Sequence, residues 1–227
     1  LALSGGRIAG TLFQALAQAP AAARWLRTVD LFWADERCVG PDDEASNYGL
    51  ARRLLLQPLG ITGERVHRLR GELPPHQAAR RASTELRRVA RKTPSDRLPA
   101  LDLVLLGMGE DGHVASLFPG APERSKTNRA AYAAVIGPKP PPRRLTLTYR
   151  SLAAAREVWV VVAGPGKEAA LGESLRPTGT TPLAHLLRLR AKTAIHVSPG
   201  GADYRRAAIG GAIRSRPMLN RPRTGSP

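Results

Sequence analysis

Short apolar runs alternate along the chain with segments whose apolar residues share one face of a helix. The runs predict strands at residues 1–3, 29–34, 101–107, 145–148, 158–163 and 193–197. The periodic segments predict helices at residues 8–18, with Ile8, Leu12 and Leu16 inward, and at 47–56, 74–92, 166–174 and 182–190. Ser46 is a suitable N-cap for the second of these helices. Strands that alternate with helices predict a three-layer αβα fold with a mainly parallel sheet.

The clearest strand is the run LDLVLLG at residues 101–107. It is almost continuously apolar, which is typical of a parallel strand that is covered on both faces. Glycines follow it at once, so the chain is expected to leave the sheet in a tight loop.

The length and composition predict one globular unit. The 227 residues are 42% hydrophobic but only 4% aromatic, so Leu, Val, Ala and Ile must form the core. We expect a single domain over residues 1–208 and a basic, disordered tail over residues 209–227. The chain begins inside a predicted strand without Met, which we interpret as an N-terminal truncation.

The formal net charge of +17 raises nucleic-acid binding as an alternative function. The charges are mostly Arg scattered over different predicted elements, with no basic run interleaved with aromatic residues. We therefore expect no nucleic-acid partner. A basic surface would also attract a small anionic substrate.

Other compositional features exclude several classes of protein. The single cysteine, Cys38, permits no internal disulfide, and no apolar run reaches the length of a membrane span, so a cytoplasmic protein with no membrane association is predicted. His67, His76, His185 and His196 are too dispersed to suggest metal ligands. No metal and no cofactor is expected.

The candidate chemistry follows the predicted strands, because ligands of open parallel sheets bind beyond the carboxyl ends of the strands. Ser4, Gly5, Gly6 and Arg7 follow the first strand. Glycine N–H groups at a helix start can bind an anion, and Ser4 and Arg7 add donors. An ordinary strand-to-helix turn would have the same sequence, so this signal is weak on its own.

An acid and an arginine, Asp35 and Arg37, follow the second strand. At strand spacing their side chains point to the same side, where they could bind hydroxyls and an oxyanion or phosphate. The alternative is a structural salt bridge.

The central strand leads into the sequence GMGEDGHVASLFPG, residues 107–120. Three glycines, Gly107, Gly109 and Gly112, free the backbone there, and their N–H groups could serve an oxyanion. His113 then lies at the mouth of the crevice, where an imidazole can exchange a proton near neutral pH. Asp111 could orient the ring or stiffen the loop.

These segments together resemble the 6-phosphogluconolactonase family. The matching sequences are LALSGG, FWADERCVGPDDEASNYGLARRLL, LDLVLLGMGEDGHVASLFPG and KPPPRRLTLTYRSLAAAREVWVVVAGPGKEAAL, in the family's order, and the resemblance extends to about residue 189. The superfamily also contains glucosamine-6-phosphate deaminases, which share the DGH core, whereas the continuation ASLFPG resembles the lactonases. The resemblance implies a Rossmann-like sheet of the NagB-like type. It also implies hydrolysis of 6-phospho-D-glucono-1,5-lactone in the oxidative pentose phosphate pathway.

The resemblance also assigns roles to individual residues. His113 matches the general base that activates water, and Asp35 and Arg37 match the acid–arginine pair that lines the site. The phosphate-side positions are matched by Gly5, Gly6, Arg7, Lys167 and Arg144. Two departures are notable: Ile8 stands where the family usually has Thr, and the chain diverges after about Thr193.

Several alternatives remain open at this stage. A glucosamine-6-phosphate deaminase or isomerase would share the phosphate site, a basic binding protein would use the charge, and a truncated copy could be inactive. Ser4 and Ser116 are disfavoured as nucleophiles, since neither lies in a Gly-x-Ser-x-Gly elbow. We expect a small phosphorylated sugar lactone as the partner, and a monomer or weak dimer.

Overall fold

The computed structural model describes residues 1–92, 99–122, 124–190 and 192–197. The predicted domain end at residue 208 and the predicted tail at residues 209–227 lie outside these ranges. No helix within the described ranges is long and apolar enough to cross a membrane.

The described residues form ten strands and eight α-helices. The strands are β1 (Ala2–Leu3), β2 (Phe32–Trp33), β3 (Asp35–Arg37), β4 (Arg91–Lys92), β5 (Pro99–Ala100), β6 (Leu103–Gly107), β7 (Tyr132–Ile136), β8 (Arg143–Leu147), β9 (Glu157–Val162) and β10 (Thr193–Val197). The helices are α1 (Arg7–Gln18), α2 (Pro20–Leu26), α3 (Asn47–Ala51), α4 (Pro75–Val89), α5 (Arg124–Thr127), α6 (Tyr149–Ala154), α7 (Glu168–Leu175) and α8 (Pro182–Leu189). A π-helical turn, Arg52–Leu56, continues α3.

The central sheet has the strand order β10-β9-β6-β1-β2, and every pairing in it is parallel. Helices flank this sheet in a three-layer α/β arrangement, so the predicted fold class is confirmed. The chain runs from β1 to β2 on one side and later to β6 on the other side of β1. Such a switch in strand order opens a crevice at the carboxyl ends of the strands, where ligands of these folds bind.

The predicted strand at residues 145–148 is β8, and it belongs to a second sheet. Residues 143–147 pair antiparallel with β3 and β7 in a separate three-stranded sheet, instead of extending the parallel one. The segment β7 had no strand predicted. A short apolar run does not reveal its partner, because pairing depends on residues that are distant in sequence.

The helices differ from the prediction mainly at their ends and faces. The helix predicted at residues 74–92 is Pro75–Val89, and the one at 47–56 divides into α3 and the π-helical turn. On α1, Ala9 and Phe13 are buried while the predicted inward residues are half-buried, so the inward face is turned by one residue. Ser46 does cap α3, since its hydroxyl accepts the Gly49 N–H at 2.9 Å.

Candidate active site

The loop after β1 is shaped by two glycines. A Cβ on Gly5 would lie 1.8 Å from Oδ1 of Asn47, so no other residue fits this close approach. Gly6 is the N-cap of α1 with φ +89°, a conformation that favours glycine. Ser4 has a buried hydroxyl without a hydrogen-bond partner in the described residues, whereas the side chain of Arg7 is 91% exposed.

Asp35 has a buried carboxylate with defined partners. Its Oδ2 accepts a hydrogen bond from the Ser116 hydroxyl at 2.7 Å, and its Oδ1 accepts one from Nδ2 of Asn47 at 3.2 Å. Ser116 comes three residues after His113, so the carboxylate joins the strand β3 to the loop that carries the imidazole.

Arg37 is held by a main-chain contact. Its Nη1 donates to the carbonyl of Ala45 at 2.5 Å, while its Nε is buried and has no partner in the described residues. No ion pair joins Asp35 to Arg37 in the part of the chain that the structure describes. The guanidinium therefore keeps donors available for an oxyanion or phosphate.

Arg144 pairs with Arg37 across the antiparallel sheet. It is 7% exposed, and its Nε and Nη2 donate to the carbonyls of Pro141 and Lys139 at 2.5 and 3.2 Å. Burial and the nearby charge of Arg37 lower the pKa of Arg144. Because two of its three guanidinium nitrogens are already engaged, its assignment to the anion site stays a prediction.

His113 is fixed by Asp111. The ring Nδ1 lies 2.5 Å from Oδ1 of Asp111, and the same oxygen accepts the main-chain N–H of His113 at 3.1 Å. Partial burial acts to raise the pKa of Asp111. The main-chain N–H of His113, its charge and the hydrogen bond from its ring have a larger effect in the other direction, so the pKa of Asp111 lies below its usual value. Asp111 is therefore a carboxylate at neutral pH, and it orients the imidazole.

The glycines of this loop make room for the imidazole. A Cβ on Gly109 would lie 2.1 Å from Nδ1 of His113, and one on Gly112 would lie 2.7 Å from Cβ of Thr181. Gly112 also has φ +76°. Gly107 ends β6, and a Cβ there would meet Ile8 at an ordinary 3.8 Å.

The N–H groups of Gly109 and Gly112 are bonded within the loop, and the role of the loop glycines as oxyanion donors stays a prediction. Gly109 donates to the carbonyl of His113 at 2.9 Å, and Gly112 donates to that of Gly109 at 3.1 Å. Since these donors are used inside the loop, the two glycines shape it, and the guanidinium of Arg37 is the better candidate for an oxyanion.

The cationic side chains of Arg7 and Lys167 lie where the loops after β1, β6 and β9 approach each other. Arg7 forms an ion pair with Glu110 at 3.9 Å, and a Cβ on Gly166 would lie 3.8 Å from Cγ of Glu110. Burial, followed by the charge of Arg7, lowers the pKa of Lys167, with Glu110 opposing the shift. The loops after β1, β6 and β9 thus come together at the carboxyl edge of the sheet.

Two residues of this site, Glu36 and Asn47, were not among the predicted site residues. Glu36 is 2% exposed and accepts N–H groups from Arg37, Asn47 and Tyr48 at 2.7–2.8 Å, so it anchors the start of α3. Burial raises the pKa of Glu36 against these donors. Asn47 links the main chain and the carboxylate of Asp35 to the Gly5 turn. The sequence signal that could have identified Asn47 is its position directly after the predicted N-cap Ser46, at the start of a helix.

The described residues hold no group of three His, Cys, Asp or Glu side chains that could bind a metal ion. The site is instead built from a carboxylate-bound imidazole, a buried carboxylate and three cationic side chains. Such a set can activate water and bind a phosphorylated, oxygen-rich molecule.

Comparisons with known proteins agree with this architecture. Residues 1–195 match the family model described as glucosamine-6-phosphate isomerases/6-phosphogluconolactonase. The 6-phosphogluconolactonase of Homo sapiens is 40% identical over 185 residues, which are 81% of this chain and 70% of that protein. The corresponding protein of Mycobacterium tuberculosis is 38% identical over 178 residues, 77% of this chain and 72% of that one.

A solved structure, the crystal structure of devB protein, superposes with a TM-score of 0.77 and 31% identity, covering 89% of this chain and 84% of that chain. The family match spans well over half of the chain. The chain belongs to the glucosamine-6-phosphate isomerase/6-phosphogluconolactonase family.

Proposed function

We propose that this chain hydrolyses 6-phospho-D-glucono-1,5-lactone to 6-phosphogluconate, the lactonase step of the oxidative pentose phosphate pathway. It is a carboxylic ester hydrolase, as its relatives named 6-phosphogluconolactonase are. The substrate is anionic, and the carboxyl edge of the sheet presents Arg7, Arg37 and Lys167 to such a molecule.

The observation that carries the mechanism is the contact between His113 and Asp111. A carboxylate can only accept a hydrogen bond, so Nδ1 of His113 must carry the proton in this contact. The neutral ring then has its lone pair on Nε2, which has no partner in the described residues. The imidazole is one-third exposed, so water can reach it.

The reaction follows from this arrangement. Nε2 takes a proton from a water molecule as the water oxygen forms a bond with the lactone carbonyl carbon. The carbonyl oxygen becomes an oxyanion, which the guanidinium of Arg37 stabilises. When the tetrahedral carbon expels the ring oxygen, the imidazolium returns the proton to that oxygen, and 6-phosphogluconate is released.

The remaining residues hold the substrate. Lys167 and Arg7 bind the phosphate at a distance from the reacting carbon, which fixes the orientation of the ring. The Gly5–Gly6 turn leads into α1 beside Arg7 and adds N–H groups for the phosphate. Asp35 already accepts two hydrogen bonds, and a carboxylate has acceptor capacity left for a sugar hydroxyl. Action in the cytoplasm as a monomer or weak dimer stays a prediction.

The test is to measure lactone hydrolysis by the wild type, His113→Ala and the control His76→Ala, which removes an exposed histidine from α4. Loss of the general base should lower kcat by roughly 10²–10⁴-fold, while the control changes it less than about twofold. Wild-type turnover in His113→Ala would remove the imidazole from the mechanism.

The same preparation separates the lactonase from the deaminase alternative. We expect no ammonia release from glucosamine 6-phosphate. Ammonia release with a rate above that of lactone hydrolysis would contradict the proposed substrate.

A further inference from the structure

A cavity of about 670 Å³ lies between α3, the π-helical turn that follows it, the segment 61–68 and α4. None of the residues assigned to the active site lines it. Its volume is typical of a pocket for a small organic molecule. The cavity therefore needs an explanation that the lactonase reaction does not provide.

The walls of the cavity are strongly cationic. Five arginines line it, against the carboxylates of Glu64 and Glu85: Arg52, Arg68, Arg70, Arg81 and Arg88. Positive charge gathered around a concave surface focuses the field on whatever anion enters it. The composition of the wall thus favours an anionic ligand.

The arginines differ in what they already bind. Arg68 and Arg88 have carboxylate partners, Glu72 and Glu85, at 2.7 and 2.8 Å. Arg70 and Arg81 have no ion pair with another described residue. Their charges lie on different elements, one in the segment before α4 and the other on α4 itself.

Arg52 and Tyr48 complete the opposite wall. Arg52 binds Asp42 through Nη2 at 2.5 Å, but its Nε is buried and has no partner in the described residues. The guanidinium carbons of Arg52 and Arg68 lie 6.0 and 5.7 Å from the centre of the Tyr48 ring. Contact with the aromatic face limits the motion of both cations, which preorganises them for an anion.

We propose that this cavity is a second binding site, for a small organic molecule that carries two phosphate groups. One phosphate meets the unpaired cations Arg70 and Arg81, and the other meets the guanidinium of Arg52, whose side chain is 34% exposed. Guanidinium groups suit phosphate because their donors match its oxygens in pairs. The site is independent of the lactonase reaction, since it shares no residue with it.

The test is calorimetric titration at constant ionic strength with fructose 1,6-bisphosphate as the probe and fructose 6-phosphate as its single-phosphate counterpart. The wild type is compared with Arg70→Gln and Arg81→Gln. Arg24→Gln is the matched control, because it removes an exposed arginine from α2, outside the cavity. Lys167→Ala reports binding at the active site.

We expect one saturable site for the bisphosphate, with an affinity at least tenfold above that of the monophosphate. Arg70→Gln and Arg81→Gln each weaken it about tenfold, the size of one lost charge-assisted hydrogen bond, and leave lactone hydrolysis unchanged. Arg24→Gln and Lys167→Ala retain the affinity. The proposal is overturned by the absence of saturable binding at millimolar probe, by equal weakening in Arg24→Gln, or by loss of the bisphosphate site in Lys167→Ala.

Discussion

Single side chains in the site owe their chemistry to neighbours that fix their protonation or charge. Asp111 stays ionised through its contacts with His113, and this determines which ring nitrogen holds the proton. The surroundings of Asp111 favour its charged form, whereas those of Lys167 favour its neutral form, because burial and the charge of Arg7 both disfavour the ammonium group. The cation that we assign to the phosphate is therefore also the one whose charge is most easily lost.

This property of Lys167 gives a pH dependence with a defined sign. The pKa of Lys167 lies below the ordinary lysine value of about 10.4, so its positive charge disappears at lower pH than that of an exposed lysine. The dissociation constant of 6-phosphogluconate, measured by calorimetry, should therefore rise as the pH rises towards 10. Lys167→Arg keeps its charge over this range and should flatten the rise.

Lys192→Arg, at an exposed position before β10, is the control and should retain the wild-type pH profile. A wild-type dissociation constant that is the same at pH 7 and pH 10 would contradict the role of Lys167 in phosphate binding.

At the scale of elements, the site depends on close approaches that only certain residues permit. The loop after β6 folds back so that its own N–H groups bind its carbonyls, and the imidazole packs against Gly109. The start of α3 is held by Glu36 and in turn holds Asp35 through Asn47. The loop after β6 and the start of α3 therefore affect the reaction by positioning His113 and Asp35.

Gly109→Ala tests the loop after β6. The added Cβ would overlap the His113 ring, so the imidazole must leave its contact with Asp111. We expect kcat for lactone hydrolysis to fall at least about 100-fold, close to the effect of losing the base itself.

The matched control is Gly172→Ala in α7, where a Cβ meets nothing within 4 Å. It should leave kcat within about twofold and stabilise the fold by roughly 0.5–1 kcal/mol, since alanine is the better helix former. A Gly109→Ala enzyme with wild-type kcat would show that the ring position is unimportant.

Asn47→Ala tests the start of α3. It removes the donor to the Asp35 carboxylate and the side chain that packs on Gly5. We expect kcat/KM to fall about 10–100-fold and the free energy of unfolding to fall by roughly 1–3 kcal/mol, the cost of leaving a buried acceptor unpaired.

Ser151→Ala is the comparison, because it removes a buried hydrogen bond to the carbonyl of Ala131, outside the network around Asp35. It should lower stability without changing kcat/KM. If Asn47→Ala lowers stability but leaves kcat/KM unchanged, as is expected for Ser151→Ala, Asn47 is a structural residue and does not position groups for the reaction.

At the scale of the whole molecule, the pattern of apolar residues predicted the parallel sheet but not its smaller partner. The strand β6 and most of β9 are continuous apolar runs, and their carboxyl ends could be located from the glycines that follow them. The antiparallel pairing of β8 with β3 could not be predicted, because it depends on a contact between segments that are more than 100 residues apart in the sequence.

The same limit applies to the site. The position of His113 beyond a strand end and the possible role of Asp111 in orienting its ring followed from local sequence. That the contact is made through Nδ1 did not, because it depends on the conformation of the loop. Glu36 was overlooked since a carboxylate between Asp35 and Arg37 has no local sign of being buried. The contact of Asn47 with Gly5 joins residues 42 positions apart, which periodicity does not reveal.

The proposed reaction requires loops from separate strand ends to meet around one phosphorylated sugar, with the imidazole at its carbonyl carbon. A crystal structure with 6-phosphogluconate bound tests it most directly. We expect the phosphate on Lys167 or Arg7 and a carboxylate oxygen about 2.6–3.2 Å from Nε2 of His113. A ligand whose carboxylate lies far from His113, or whose phosphate lies only in the arginine-lined cavity, would contradict it.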